Sequence, residues 1–372
     1  MTVNHNQAMY AGPSLNQKIT SAMLHLRFGS KLLIFDIKKA FNQIALSELD
    51  QQKLLFLWYK NVKKGDFSII AYKNVRLPFG LRCSPTILML ALFKILVLDS
   101  KNDNPRLRNA KWIMYQLFYM DNGGFTCESS ETLNWIYMRF YKQMFSNDST
   151  LQDKIDGENM QSDIGCKKSE MEVKLLGMIW NRRNDTISTR KLCLDEKATT
   201  KREILRSIAS NYDVFNINGP LLNRARLFMP DLQCERTLGW DAQLRDFQKR
   251  EWRNIANQVN SAPVFELQRC VGERTDEYKL EAYVDASKRV YGVVCLCNIR
   301  SGEKSFVLGK NRLIGSKLHE KSIPSQELQA ICLGTEVLLD TYNELSGTQC
   351  LVPIKIVDLG PFSDSFVSLS WL

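Results

Sequence analysis

The stretch KLLIFDIKKAF, residues 31–41, decides the reading of this chain. Four apolar side chains, Leu32 to Phe35, run straight into Asp36, which is how a buried strand ends when it surfaces at a sheet edge. A second acid, Asp121, follows another apolar run, MYQLFYM at 114–120, read here as a further strand leading into a tight hairpin, YMDNG. Between the two, LPFGLRCSP at 77–85 has the Gly/Pro chemistry of a turn that opens a long apolar helix. A strand ending in Asp and a hairpin carrying Asp bring carboxylates together at one sheet edge. Each acid alone reads more readily as a strand terminator. As an ordered pair they read as ligands for a divalent metal, Mg²⁺ or Mn²⁺, of the kind used in pairs about 3.5–4 Å apart.

Composition permits this without requiring it. The chain has 372 residues and 44% hydrophobic content, enough for two or three packed cores. Lys+Arg of 50 against Asp+Glu of 40 gives a net +10, which favours polyanionic partners through their phosphates. Ten cysteines without one C-x-x-C pair, beside only three histidines, exclude a local zinc cluster and read as reduced thiols of an intracellular, cytoplasmic protein. Cys295 and Cys297 alternate within one strand and read as small core residues. The polar N-terminus shows no secretory signal. The longest apolar stretch, TILMLALFKILVL at 86–98, is too short to span a bilayer and contains Lys94, so no membrane partner is expected.

Organisation changes twice along the chain. From 31 to 192 strands and helices alternate, an α+β pattern; from 193 to 262 the strand signal gives way to three helically spaced segments; from 277 to 372 strands return around a helix opened by Pro324. Residues 1–30 form a lead-in. The segment 182–206 holds eight Lys/Arg against four Asp/Glu, which suits backbone contact with a duplex as well as it suits a solvated helical face.

The runs FDIKKAFNQIAL, LPFGLRCSP, FYMDN and KLLGMIWN, in that order, resemble the palm of a retroelement reverse transcriptase. TKREILRSIASNYDVFNINGP, AYVDAS and IPSQELQA, with the N-terminal GPSLNQ, resemble the Pao/BEL class of LTR retrotransposon polyproteins. The likeness covers about residues 12–370. It implies a palm with a ferredoxin-like antiparallel sheet at 31–192, a helical thumb or connection at 193–262, and a ribonuclease H-like α/β domain at 277–372. The implied activity is RNA-directed DNA polymerisation, with an RNA template, a DNA primer, dNTPs and Mg²⁺ or Mn²⁺, and hydrolysis of RNA in an RNA/DNA hybrid.

The likeness also assigns residues. Asp36 and Asp121 would hold metal, with Asn122 beside them. Phe41 would lie under the sugar of the incoming nucleotide, where a ring excludes a 2′-hydroxyl. Pro78, Phe79 and Gly80 would form a turn against the base pair, with Arg82 reaching phosphate and Tyr119 and Met120 near the primer. Asp285 at a strand end, Glu327 one turn into a helix and Asp364 after another strand have the order of a ribonuclease H-like acid set. In a plain reading a Glu in the first helical turn only complements the helix dipole.

Three departures set expectations about activity. Asn122 stands where the family pattern has a second Asp, which removes one negative charge and some rate. Only 35 residues precede Asp36, so the basic fingers clamp is expected to be missing. Eight residues follow Asp364, so the last domain is expected to be incomplete. The chain therefore reads as a partial polyprotein copy, impaired or inactive as a polymerase. The alternatives are a non-catalytic nucleic-acid- or protein-binding module of retrotransposon origin and, more remotely, an unrelated metal-dependent α/β enzyme.

Overall fold

The computed structural model describes residues 5–145, 171–234, 238–299, 302–314 and 322–370. Residues 146–170 of the expected palm lie outside them. The chain divides into two compact units, one of 1–18, 32–125 and 131–165, the other of 19–31, 126–130 and 166–372.

In the first unit, β1 (Lys31–Asp36) pairs with β4 (Asn122–Cys127). A 3₁₀ turn, Ala40–Gln43, follows β1 and buries Ala40 and Phe41. Next come α2 (Glu48–Lys53), capped by Ser47, and the antiparallel hairpin of β2 (Leu55–Asn61) with β3 (Asp66–Lys73). The apolar stretch after Pro85 is α3 (Ser84–Phe93), continued by a π turn and a 3₁₀ turn to Asn102. Asn104 caps α4 (Pro105–Leu117), its side chain accepting from the Leu107 amide at 2.9 Å, and α5 spans Ser130–Phe145.

One expectation fails here. Met114–Leu117 of the run MYQLFYM belong to α4 rather than to a strand. Periodicity cannot separate a helix buried on nearly every side from a buried strand, and Leu107 to Leu117 is covered almost throughout.

In the second unit α1 (Ile19–His25) packs on α9 (Ile323–Ser346), His25 Nε2 lying 2.9 Å from the Glu344 carbonyl oxygen. A four-strand antiparallel meander runs β5 (Glu172–Leu175), β6 (Met178–Asn181), β7 (Thr186–Ser188), β8 (Glu266–Gln268). Leu176 and Gly177, both at positive φ, make the β5–β6 turn within KLLGMIWN.

Between β7 and β8 lie α6 (Lys201–Ala209), α7 (Gly219–Cys234) and α8 (Asp246–Asn260), packed around Ile204, Leu222, Phe228 and Trp252. A Thr200/Glu203 capping box starts α6.

The C-terminal sheet has the order β11-β10-β9-β12, from β9 (Glu277–Ala286), β10 (Val290–Ile299), β11 (Lys304–Leu313) and β12 (Lys355–Phe362). Its first three strands are antiparallel and β12 is parallel to β9, which requires the crossover that α9 provides. Tyr278, Leu280, Ala282 and Val284 of β9 point to the covered face, where Cys295 and Cys297 are also buried. A Cβ at Gly334 would stand 2.4 Å from Val284 Cγ1, so glycine allows the helix to sit this close. A short α10 (Phe366–Leu369) is tied back by the Ser368 hydroxyl, which donates to the Pro324 carbonyl at 2.8 Å.

Candidate metal centres and nucleic-acid interface

Asp36 ends β1, and the next amide, Ile37 N–H, donates to the Asp121 carbonyl at 2.9 Å. Asp121 sits in a two-residue turn closed by reciprocal backbone bonds between Tyr119 and Asn122, with Met120 held at φ 57. A β-unbranched side chain in left-handed backbone is uncommon and marks a turn fixed by its surroundings.

The fixing is visible one residue on. A Cβ at Gly123 would lie 2.4 Å from the Phe35 ring and 2.8 Å from that of Phe118, two rings packed edge to face at 5.5 Å. Partial desolvation, then the charge of Asp121, raises the Asp36 carboxyl above the ordinary aspartate range, against the pull of the Ile37 amide. The two acids are thus electrostatic neighbours at adjacent strand ends. Asn122 turns its amide on Asp121, Nδ2 donating to Oδ1 at 3.2 Å, which engages an oxygen that a cation would use.

Around this pair Phe41 is buried and packs edge-on against Phe79, centroids 4.8 Å apart. Phe79 is 64% exposed and Gly80, at φ +86, has open space where a Cβ would stand, so the turn presents ring and bare backbone outward. Arg82 is exposed, and its backbone N–H donates to the Asn6 side-chain oxygen at 3.1 Å. Tyr119 and Met120 are half-buried.

A second set of acids is assembled in the C-terminal sheet. Asp285 is the penultimate residue of β9, Glu327 lies in α9 and Asp364 follows β12; one carboxylate oxygen from each lies within 4.8 Å of the other two. The Asp285 and Asp364 side chains are exposed, while Glu327 is buried. Glu327 Oε1 accepts from the Ala286 amide at 3.3 Å, and its Oε2 is buried with no hydrogen-bond partner. Burial raises the Glu327 carboxyl, and Asp285 and then Asp364 push it further up against the Ala286 bond.

An orphaned buried carboxylate oxygen facing two exposed carboxylates fits an oxygen-liganded dication, which would satisfy the lone pair and cancel the repulsion. The resemblance implied this set from the order of the three acids, while their proximity depends on the parallel placing of β12 beside β9.

Arg27, upstream of Asp36, is 3% exposed and spends its guanidinium on the carbonyls of Gln268, Arg269, Phe306 and Val307, so it is not available to a phosphate. In the 182–206 segment Lys201 is buried on the Leu238 carbonyl and Arg202 is paired with Asp241 at 2.6 Å, which leaves less of the +4 excess for a duplex.

Arg269 is buried and carries a role the sequence does not mark. It holds Asp185 by two bonds, 2.6 and 2.8 Å, and donates to the carbonyls of Leu26, Gly29 and Ser30, the chain leading into β1. Nothing in the local pattern of FELQRC marks such a role.

Residues 200–365 match the family described as the Pao retrotransposon-like RNaseH-like domain. That segment contains Asp285, Glu327 and Asp364. No curated protein matches the sequence.

Among solved structures the chain resembles the foamy viral protease-reverse transcriptase. In the dRH form in complex with double-stranded DNA the TM-score is 0.63 at 13% identity, over 99% of this chain and 56% of that one. A further complex with double-stranded DNA gives 0.61 at 13%, over 99% and 66%. The complex with an RNA/DNA hybrid gives 0.52 at 12%, over 94% and 40%. The fold is that of a retroviral reverse transcriptase region with a ribonuclease H-like domain, and the chain spans about half the length of the structures it matches. No helix among the described residues is long and apolar enough to cross a membrane.

Proposed function

We propose that this chain is the reverse transcriptase and ribonuclease H-like region of a Pao/BEL-class retroelement polyprotein, acting on RNA/DNA hybrids through Mg²⁺ or Mn²⁺. The observation that carries the reading is the Asp285, Glu327, Asp364 cluster, three carboxylates from three elements within 4.8 Å, one with an unsatisfied buried oxygen. When bound there, a dication supplies Lewis acidity and an activated water for phosphodiester cleavage.

The protein's own part is positional. The Ala286 amide orients Glu327, while Asp285 and Asp364 are exposed and would meet an arriving nucleic acid strand. At Asp36 and Asp121 the same chemistry would serve nucleotidyl transfer from a dNTP onto a DNA primer on an RNA template. Phe79 and Gly80 would lie against the base pair, Phe41 under the sugar, Arg82 on phosphate, and Tyr119 and Met120 beside the primer end. The foamy viral structures, solved with double-stranded DNA and with an RNA/DNA hybrid, support nucleic acid as the partner. In domain terms, 31–192 would act as palm, 193–262 as thumb or connection and 277–372 as the ribonuclease H-like part.

A second reading, a binding module without polymerase activity, is favoured by one contact: the Asn122 amide occupies an oxygen of Asp121.

The test pairs two assays on one preparation. With Mn²⁺ or Mg²⁺, labelled RNA in a hybrid is cleaved by the wild type and not by Asp285→Asn, and a primed RNA template is extended with dNTPs by the wild type and not by Asp36→Ala. Wild-type protein inert in both, yet still binding hybrid in a salt-dependent way, would establish the binding module in place of the enzyme.

A further inference from the structure

The β2–β3 ribbon of the first unit is exposed along its length. Its register pairs Phe56 with Tyr72 and Trp58 with Ile70, so these four side chains share one face. Phe56 and Tyr72 stack there with centroids 5.7 Å apart and planes 21° apart, and the Trp58 ring beside them is 60% exposed.

The tip and flanks are basic. From 54 to 76 the cations Lys60, Lys63, Lys64, Lys73 and Arg76 stand against a single acid, Asp66, which pairs with Lys60 at 3.8 Å and accepts from Ser68. Lys63 and Lys64 lie in the turn and are exposed.

Contiguous exposed apolar surface marks an interaction site. Its chemistry selects the partner. Planar rings open to solvent take the π-faces of bases, lysines at their border take phosphates, and the combination suits an unpaired strand, whose bases are free to stack. A protein partner would cover the rings without calling for five cations against one acid.

We propose that the Phe56, Trp58, Tyr72 face of this ribbon grips single-stranded nucleic acid, with Lys60, Lys63 and Lys64 on the phosphates. This deepens the polymerase reading by naming a strand-holding surface on the unit that carries Asp36 and Asp121. It needs neither metal nor nucleotide.

The test is therefore made in EDTA, on the full chain, by fluorescence anisotropy of labelled oligo(dT). Trp58→Ala should weaken binding by about tenfold, the loss typical of one stacked base, and Trp58→Phe should restore most of it. Lys63→Ala with Lys64→Ala should lower the slope of log affinity against log salt by about 1.4, two phosphate contacts of a single strand. All three positions are exposed, so the variants keep the fold. Binding that is unchanged by Trp58→Ala and by the double lysine variant overturns the proposal. So does sedimentation showing that the wild type self-associates and Trp58→Ala does not while strand affinity stays intact, which would make the face a contact between two copies. Absence of polymerase or hybrid-cleaving activity leaves both outcomes readable.

Discussion

Replacing Glu327 by Gln keeps the hydrogen bond from the Ala286 amide and removes one charge from a cluster in which one oxygen of each acid lies within 4.8 Å of the others. At that distance two unit charges repel by about 1 kcal/mol even at the dielectric of bulk water. Glu327 faces two partners, Asp285 and Asp364, so the substitution should stabilise the metal-free protein by about 2 kcal/mol at pH 7.

The sign follows from linkage. Burial and the two aspartates raise the folded-state Glu327 carboxyl above its ordinary 4.5, so the native state holds that proton more tightly than the unfolded chain. The wild type's share of stability from this group is present below pH 4.5 and is lost as pH rises through the raised native value. The advantage of Glu327→Gln should therefore vanish in acid and grow towards neutrality.

Thermal unfolding followed by circular dichroism in EDTA reads it as a rise of about 4–8 °C at pH 7. Saturating Mn²⁺ should reverse the ranking, since the wild type gains about 2.7 kcal/mol at a hundredfold excess over the dissociation constant and the variant gains less. A variant no more stable than wild type at pH 7 in EDTA, with a pH-independent difference, would refute the claim that these acids repel one another across a cation site.

Other outcomes follow from the same structure. Gly123→Ala should cost about 1–3 kcal/mol in urea unfolding, because its methyl must displace the Phe35 ring beside Asp36, and should depress any primer extension more than hybrid cleavage. Asp185→Asn should cost about 3–5 kcal/mol, since Arg269 would remain buried without its carboxylate; a loss near zero would show that the three backbone carbonyls suffice. Asn122→Asp should tighten Mn²⁺ binding measured by calorimetry and, if the metal site limits synthesis, raise primer extension; unchanged Mn²⁺ affinity would separate Asn122 from the metal site. Thr200→Ala should cost about 1 kcal/mol through loss of the α6 cap.

The sequence by itself determined most of the local structure and the order of the motifs. Apolar runs and alternation placed β1 and the strands β9 to β11, because those patterns are properties of neighbouring residues. Strand ends that close on Asp36 and Asp285 were legible for the same reason. Tertiary structure decided what depends on partners distant in the chain. Met114–Leu117 became helix because burial on nearly every side erases the period that separates helix from strand. Arg27 was withdrawn from solvent by carbonyls around residues 268 and 306, and Arg269 gained a role no neighbour announces. Asp285, Glu327 and Asp364 meet only because β12 lies parallel to β9 with α9 crossing between them, and the repulsion and burial that give Glu327 its shifted proton exist in that arrangement alone.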